Sequence, residues 1–191
     1  MKLRMEQDGR LYRIALSSPE TRNVIDAEGC RDLLRELRTA EADESVGAIL
    51  LEADGHIFCA GCDPDEELLS IGRKIKKPII AAVQGVALSG GLALAANAHV
   101  MVAAQGTSFG LTDIREGRWS EAVTDAIGYA IGKRKALELA LSGRVFSTPE
   151  ALAWGLVHHV APAFELEDRA MEVAGGIANA NPEAIRAMLE N

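Results

Sequence analysis

At 191 residues, 48% hydrophobic and 25% charged, the chain is long enough for one domain with a real core and too short for two comfortable ones. Its formal net charge of -8 argues against general nucleic-acid binding, which requires an excess of Lys and Arg. Any anionic ligand must find a local basic patch instead.

The first six residues, Met1 to Glu6, contain no apolar core of signal-peptide length, which leads to an expectation of a cytoplasmic protein. Residues 78–104 carry no Asp, Glu, Lys or Arg and could span a bilayer on length alone. Gln84, Ser89, Asn97 and His99, with glycine punctuation at Gly85 and Gly90-Gly91, count against that. Three cysteines, Cys30, Cys59 and Cys62, are an odd number and do not suggest a disulfide framework. His56, Cys59 and Cys62 have zinc-like spacing, but no second pair closes a tetrahedral site unless His158 and His159 are recruited. Small packed residues are the favoured reading, and no metal is expected.

In chain order, residues 10–16 alternate as a first strand, which Ser17-Ser18-Pro19-Glu20 ends. Asp26 is a predicted N-cap, and Cys30, Leu33, Leu34 and Leu37 form the stripe of an amphipathic helix. Residues 47–52 read as a buried strand, and Asp54-Gly55 turns the chain towards Phe58-Cys59-Ala60-Gly61-Cys62-Asp63. Pro78 opens a further apolar strand over 79–83, Gly85 punctuates it, and Ser89-Gly90-Gly91 leads into a helix over 92–98. A strand followed by a glycine turn and a helix start leaves bare N–H groups where an anionic oxygen can sit. Beyond it lie a strand over 100–104 and a helix over 121–131. The stretch Gly132-Lys133-Arg134-Lys135 is read as a break before a helix over 136–141 that ends at Ser142-Gly143. Ser147 and Glu150 make a capping box for residues 148–154. A last strand is expected over 156–160, a helix over 166–177 and a short helix after Asn181-Pro182.

Four segments in register carry a resemblance: Phe58 to Asp63, Lys77 to Gly85, Ala87-Leu88-Ser89-Gly90-Gly91, and Phe109-Gly110-Leu111-Thr112-Asp113-Ile114. Together they resemble the enoyl-CoA hydratase/isomerase (crotonase) family from about residue 10 to about residue 180. The resemblance implies an α/β fold, a β-β-α superhelix of the ClpP/crotonase type. It implies a single domain over 1–191 with a core of about 10–160. The C-terminal helical segment, about 164–191, is short beside those of the family. The insertion that usually covers the acyl chain is also reduced, to residues 64–76, so a more open acyl pocket is expected.

By the same resemblance, the backbone N–H groups of Cys62 and Gly90 form an oxyanion hole for a thioester, where most of the rate must come from. Of the two glutamates used by hydratases in the family, the first position here is Ala93 and the second is Asp113, the expected proton shuttle. One carboxylate serves isomerase-type proton transfer better than hydration. Glu116 and Glu121 are alternative acids if the loop around Trp119 folds inward. The substrate contacts implied are Arg22, Val24, Ala60, Gly61, Asp63 and Ser89, with Arg22 first for a phosphate and Lys74, Lys76 and Lys77 behind it. No cofactor is expected, because coenzyme A enters as part of the substrate. The partners implied are an acyl-CoA and further copies of the chain, as a homotrimer or a dimer of trimers, with no nucleic acid and no membrane. The competing reading is a non-catalytic relative that binds an acyl-CoA or acts as a scaffold, favoured by Ala93 and the reduced cover. A third is a hydratase using a non-standard second acid.

Overall fold

A computed structural model describes residues 1–190. Its larger sheet has six strands: β1 (Leu3–Asp8), β2 (Leu11–Leu16), β3 (Ala48–Ala53), β4 (Ile79–Val83), β6 (Val100–Ala104) and β9 (His159–Ala161), in the spatial order β1-β2-β3-β4-β6-β9. Only β1 and β2 pair antiparallel; β2 to β9 form a parallel run. Parallel strands covered on both faces need apolar side chains in both directions. The sequence supplies them, for every residue of β4 is buried.

Alternation along these strands sorts the side chains into two cores. Leu50, Ile80, Ala82, Val102 and Ala104 point towards helix α6 (Leu166–Ala178), which buries Leu166, Ala170, Ala174 and Ala178 at a spacing of about one turn. Ile49, Leu51, Ile79, Ala81, Val83, Met101 and Ala103 point the other way, towards α1 (Ala27–Ala42), α2 (Gly90–Ala96) and α3 (Glu121–Ile131). Helix α1 starts where expected, because Asp26 accepts a hydrogen bond from the N–H of Gly29, and it buries Cys30, Leu33 and Leu37.

A second sheet has three short strands, β5 (Val86–Leu88), β7 (Ser108–Gly110) and β8 (Val145–Ser147), ordered β5-β7-β8. Each long strand feeds a short one and then a helix: β4, β5 and α2, then β6, β7 and α3. This is the expected β-β-α progression. The remaining helices are α4 (Lys133–Ser142), α5 (Thr148–Ala153) and α7 (Pro182–Leu189). Among the described residues, no helix is long and apolar enough to cross a membrane.

Several boundaries differ from the expectation. Strand β1 was not foreseen. Helix α2 starts at Gly90 and ends at Ala96, and α4 starts at Lys133, so only Gly132, at φ 88°, breaks the chain there. The last strand is His159–Ala161 rather than 156–160: the N–H groups of Leu156 and Val157 both turn back to the Ala151 carbonyl, which keeps those residues out of the ladder. Residues 68–73 form a 3-10 helix with Leu68, Leu69 and Ile71 buried.

Candidate functional site

The site begins with a buried asparagine. Asn23 is fully buried; its Oδ1 accepts from the Ser18 N–H, and its Nδ2 donates to the carbonyls of Asp54 and Ile57. These bonds hold Arg22 and Asn23 in left-handed backbone conformations, at φ 57° and 54°. The Arg22 carbonyl then accepts from Ala60, tying this turn to the segment that carries Cys62.

Cys62 lies in an isolated parallel bridge to Ile25, in which Ile25 N–H donates to Gly61 and Asp63 N–H donates to Ile25. That pattern uses the groups on either side of Cys62 and directs its own N–H and carbonyl away from Ile25. Upstream, Cys59 exchanges backbone hydrogen bonds with Val86 and Leu88 and so aligns the segment with β5.

At the end of β5, Ser89 adopts φ 51° and ψ -119°, outside the usual regions for a residue with a Cβ, and the chain enters α2 at Gly90. A Cβ on Gly90 would fall 2.1 Å from the Cys62 carbonyl oxygen, and one on Gly91 would fall 2.5 Å from that of Cys59. Only glycine allows this approach. Among the described residues, neither the Cys62 nor the Gly90 N–H donates to a protein group. Ser89 N–H donates to Gly110 at 2.8 Å, which joins β5 to the end of β7, where Leu111, Thr112 and Asp113 follow.

These segments enclose a cavity of about 700 Å³. Leu88, Val24, Pro64, Trp119 and Val123 give it apolar surface, and Asp63, Asp113 and Glu116 its carboxylates. Asp113 opens a 3-10 turn, Asp113–Glu116, that closes at Gly117 with φ 69°. Arg118 Nη2 lies 3.6 Å from Asp113 Oδ1 and also bonds Glu116. Trp119, 64% exposed, donates its indole N–H to Thr124.

The cavity gathers Arg22, Val24, Ala60, Gly61, Cys62, Asp63, Ser89, Asp113 and Glu116 on one wall or another, while Gly90 is buried behind Ser89. Arg22 is exposed, and its guanidinium pairs with no described residue, so it is free for an anion. Glu121 is not brought in: it lines a neighbouring groove with Glu66, Arg73 and Lys74. Lys76 pairs with Glu190, and Lys77 donates to the Asp43 carbonyl. Ala93 is fully buried, so no acid reaches the cavity from that position.

The sulfur atoms have separate partners. Cys59 is fully buried, donates to the Asn23 and Gly61 carbonyls, and has its pKa pushed up to about 12 by burial. Cys62 Sγ lies 3.5 Å from Cys30 Sγ. That contact holds the Cys30 thiol below its ordinary pKa and, with burial, pushes Cys62 up. His56 lines a different cavity, with Arg4, Arg13 and Gln84. No group of three metal-ligating side chains is present among the described residues. The sequence did not reveal Arg118 or the Cys30–Cys62 contact, since both depend on how separate segments meet.

The enoyl-CoA hydratase/isomerase family model matches residues 6–71 and 64–191. The chain is 31% identical to mevalonyl-coenzyme A hydratase of Aspergillus fumigatus, over 93% of this chain and 72% of that one. It is 30% identical to (E)-benzylidenesuccinyl-CoA hydratase of Thauera aromatica, over 98% and 80%. A solved enoyl-CoA hydratase from Mycobacterium avium superposes with a TM-score of 0.86 at 30% identity, covering 98% of this chain and 85% of that chain. With the family model matched over residues 6–191, relatives at 30–31% identity and the fold shared with a solved member, the chain belongs to the enoyl-CoA hydratase/isomerase family.

Proposed function

We propose that the protein binds an acyl-CoA and moves a proton on its acyl chain, with isomerase-type transfer favoured over hydration. The observation that carries this reading is the pair of unpartnered N–H groups at Cys62 and Gly90, held together by a backbone approach that admits no side chain. When the α-carbon of a thioester loses a proton, its carbonyl oxygen takes on the negative charge. Two donors fixed in advance stabilise that oxyanion without reorganising, and each is worth about 10²–10³ in rate.

Asp113 is the proton carrier: its carboxylate takes the α-proton as the enolate forms and returns it at the γ-carbon, so that one group serves both steps. Arg118 holds this carboxylate at the cavity wall. Arg22 meets a phosphate of the coenzyme, its exposed and unpaired guanidinium suiting that contact. Ala93 supports this choice, because hydration requires a second group to activate water and the position that supplies one in hydratases is a methyl.

A second reading is hydration, with Glu116 activating water. It rests on Glu116 lining the same cavity as Asp113 and on relatives that are named hydratases. Incubation with a panel of acyl- and enoyl-CoA esters in deuterated water separates the two. The isomerase reading expects label at the α- and γ-carbons with no mass gain of one water. A hydrated product that disappears in Glu116→Gln favours the second reading, and tight binding without label or product sinks both in favour of a scaffold.

A further inference from the structure

Among the described residues, five Ser or Thr side chains are buried: Ser18, Ser70, Ser89, Thr107 and Thr148. Four have protein partners. Ser18 accepts from the Lys2 N–H, Ser70 donates to the Glu66 carbonyl, Thr107 to that of Val83, and Thr148 to those of Ala104 and Thr107. Ser89 has none among the described residues, although it is only 6% exposed and lines the 700 Å³ cavity. Among the described residues, no fully enclosed polar side-chain atom lacks a partner, so the Ser89 hydroxyl retains open surface.

Its backbone is also the strained one. Arg22 and Asn23 share a positive φ, but they sit in the small left-handed region that polar residues visit, whereas Ser89 combines φ 51° with ψ -119°. A serine on a sharp, strained turn between a strand and a helix, followed by a residue whose N–H is free, is the arrangement that presents a nucleophilic hydroxyl to a carbonyl whose oxygen the next N–H holds. Here the strand is β5, the helix is α2 and the next N–H is that of Gly90.

From this geometry we propose that Ser89 is an acyl-accepting nucleophile, giving the protein a second activity, hydrolysis of acyl thioesters. The inference rests on the thioester reading of the cavity. Ser89 Oγ bonds to the thioester carbonyl carbon as its proton passes to the Asp113 carboxylate, and the carbonyl electron pair moves onto the oxygen held by Cys62 and Gly90. The intermediate collapses, the carbon–sulfur bond breaks, and coenzyme A leaves as a thiolate. A thiolate leaves without being protonated, so no further acid is needed at this step. Water then attacks the serine ester, the carbon–oxygen bond to Ser89 breaks, the proton on Asp113 returns to Ser89 Oγ, and the two protons of the water leave as the product ionises to carboxylate, one taken up by the coenzyme A thiolate and one lost to solvent. The net reaction is thioester plus water to carboxylate, thiol and a proton, with no oxidant or reductant. No imidazole lines the cavity, so a carboxylate is the available base and turnover is slow.

The test uses the full chain with saturated acyl-CoA esters, acetyl and butyryl, quenched in acid and analysed by intact and peptide mass spectrometry, with released thiol measured in parallel. The expected result is an acyl mass on the peptide containing Ser89, stable to neutral hydroxylamine as an oxygen ester is, together with release of coenzyme A. Both are lost in Ser89→Ala, and acylation slows in Asp113→Asn. An acyl mass removed by neutral hydroxylamine and located on Cys62 overturns the assignment. So does thiol release that persists in Ser89→Ala. Deuterium uptake from the same esters, measured on the same samples, separates the two readings. Uptake with neither acylation nor thiol release sinks the nucleophile alone; absence of all three sinks the thioester reading with it.

Discussion

The α-carbon of Gly90 stands so close to Cys62 that a methyl group on it would lie 2.1 Å from the Cys62 carbonyl oxygen. This contact is between two backbones, so rotating a side chain cannot relieve it. Gly90→Ala should therefore force the two segments apart, costing about 1–3 kcal/mol or more of stability and reducing the rate about 10²–10³-fold. Gly61→Ala is the control for stability, because nothing lies within 4 Å of its missing Cβ. Urea unfolding of the two variants beside the parent checks the contrast; equal midpoints for Gly90→Ala and the parent would contradict the close approach.

Asp113→Asn keeps the shape of the side chain and removes its capacity to accept a proton. Deuterium uptake into a bound ester should fall about 10²–10⁴-fold with little change in affinity for the ester. Measuring uptake and thermal stabilisation by the same ester tests both halves. Undiminished uptake would transfer the role to Glu116.

Ser89 holds a conformation that glycine adopts freely, and such strain costs about 1–3 kcal/mol. The greater freedom of glycine in the unfolded chain takes back roughly 0.5–1 kcal/mol. Ser89→Gly should therefore be more stable than the parent by an amount on the order of 1 kcal/mol, read as a higher urea midpoint at unchanged slope. A lower midpoint would mean that the serine is not strained.

His99 and His158 predict a pH dependence. The Nδ1 of His99 accepts the Ile79 N–H at 2.9 Å, and the Nδ1 of His158 accepts that of Met101 at 3.0 Å, so both rings serve the sheet in their neutral form. Burial holds both pKa values below the ordinary 6.5. The unfolded chain therefore binds more protons as pH falls below about 6.5, and the stability these rings provide is present above that pH and lost towards their lower folded values. Urea midpoints should fall between pH 7.5 and pH 5, and less steeply in His99→Gln. A flat profile would remove the imidazoles from the account.

The sequence was most legible where local chemistry acts alone. Helix α5 begins at Thr148 because Ser147 and Glu150 cap each other, a signal visible as residue spacing, and α3 begins at the expected Glu121, where the structure shows Ser120 accepting from the Val123 N–H. Strand β1 is hard to read from sequence because nearly all of it is exposed and its alternation is limited to Leu3 and Met5; the hairpin that makes it a strand is set by Gly9 at φ 56° and by pairing with β2. Lys133, Arg134 and Lys135 looked like a break because three cations oppose a helix start, yet α4 begins among them, with Ala136 and Leu139 buried behind. At the cavity, the motifs name Cys62 and Asp113, which the structure brings to its walls, and Gly90 behind Ser89, whereas Arg118 enters only through the geometry of the 3-10 turn before it. Glu121 fell elsewhere because α3 turns it towards Arg73 and Lys74, which no spacing rule conveys.

Ser89 N–H donates to the Gly110 carbonyl, continuing the β5–β7 ladder by one rung to the points where the two chains leave for Gly90 and for Asp113. The end of the cavity at Ser89 and Gly90 and its acidic end are thus two exits from a single piece of sheet, their separation set by main-chain register. Side chains at 113 and 116 can therefore be exchanged without disturbing the placement of the Cys62 and Gly90 N–H groups, because that placement is made by main chain alone.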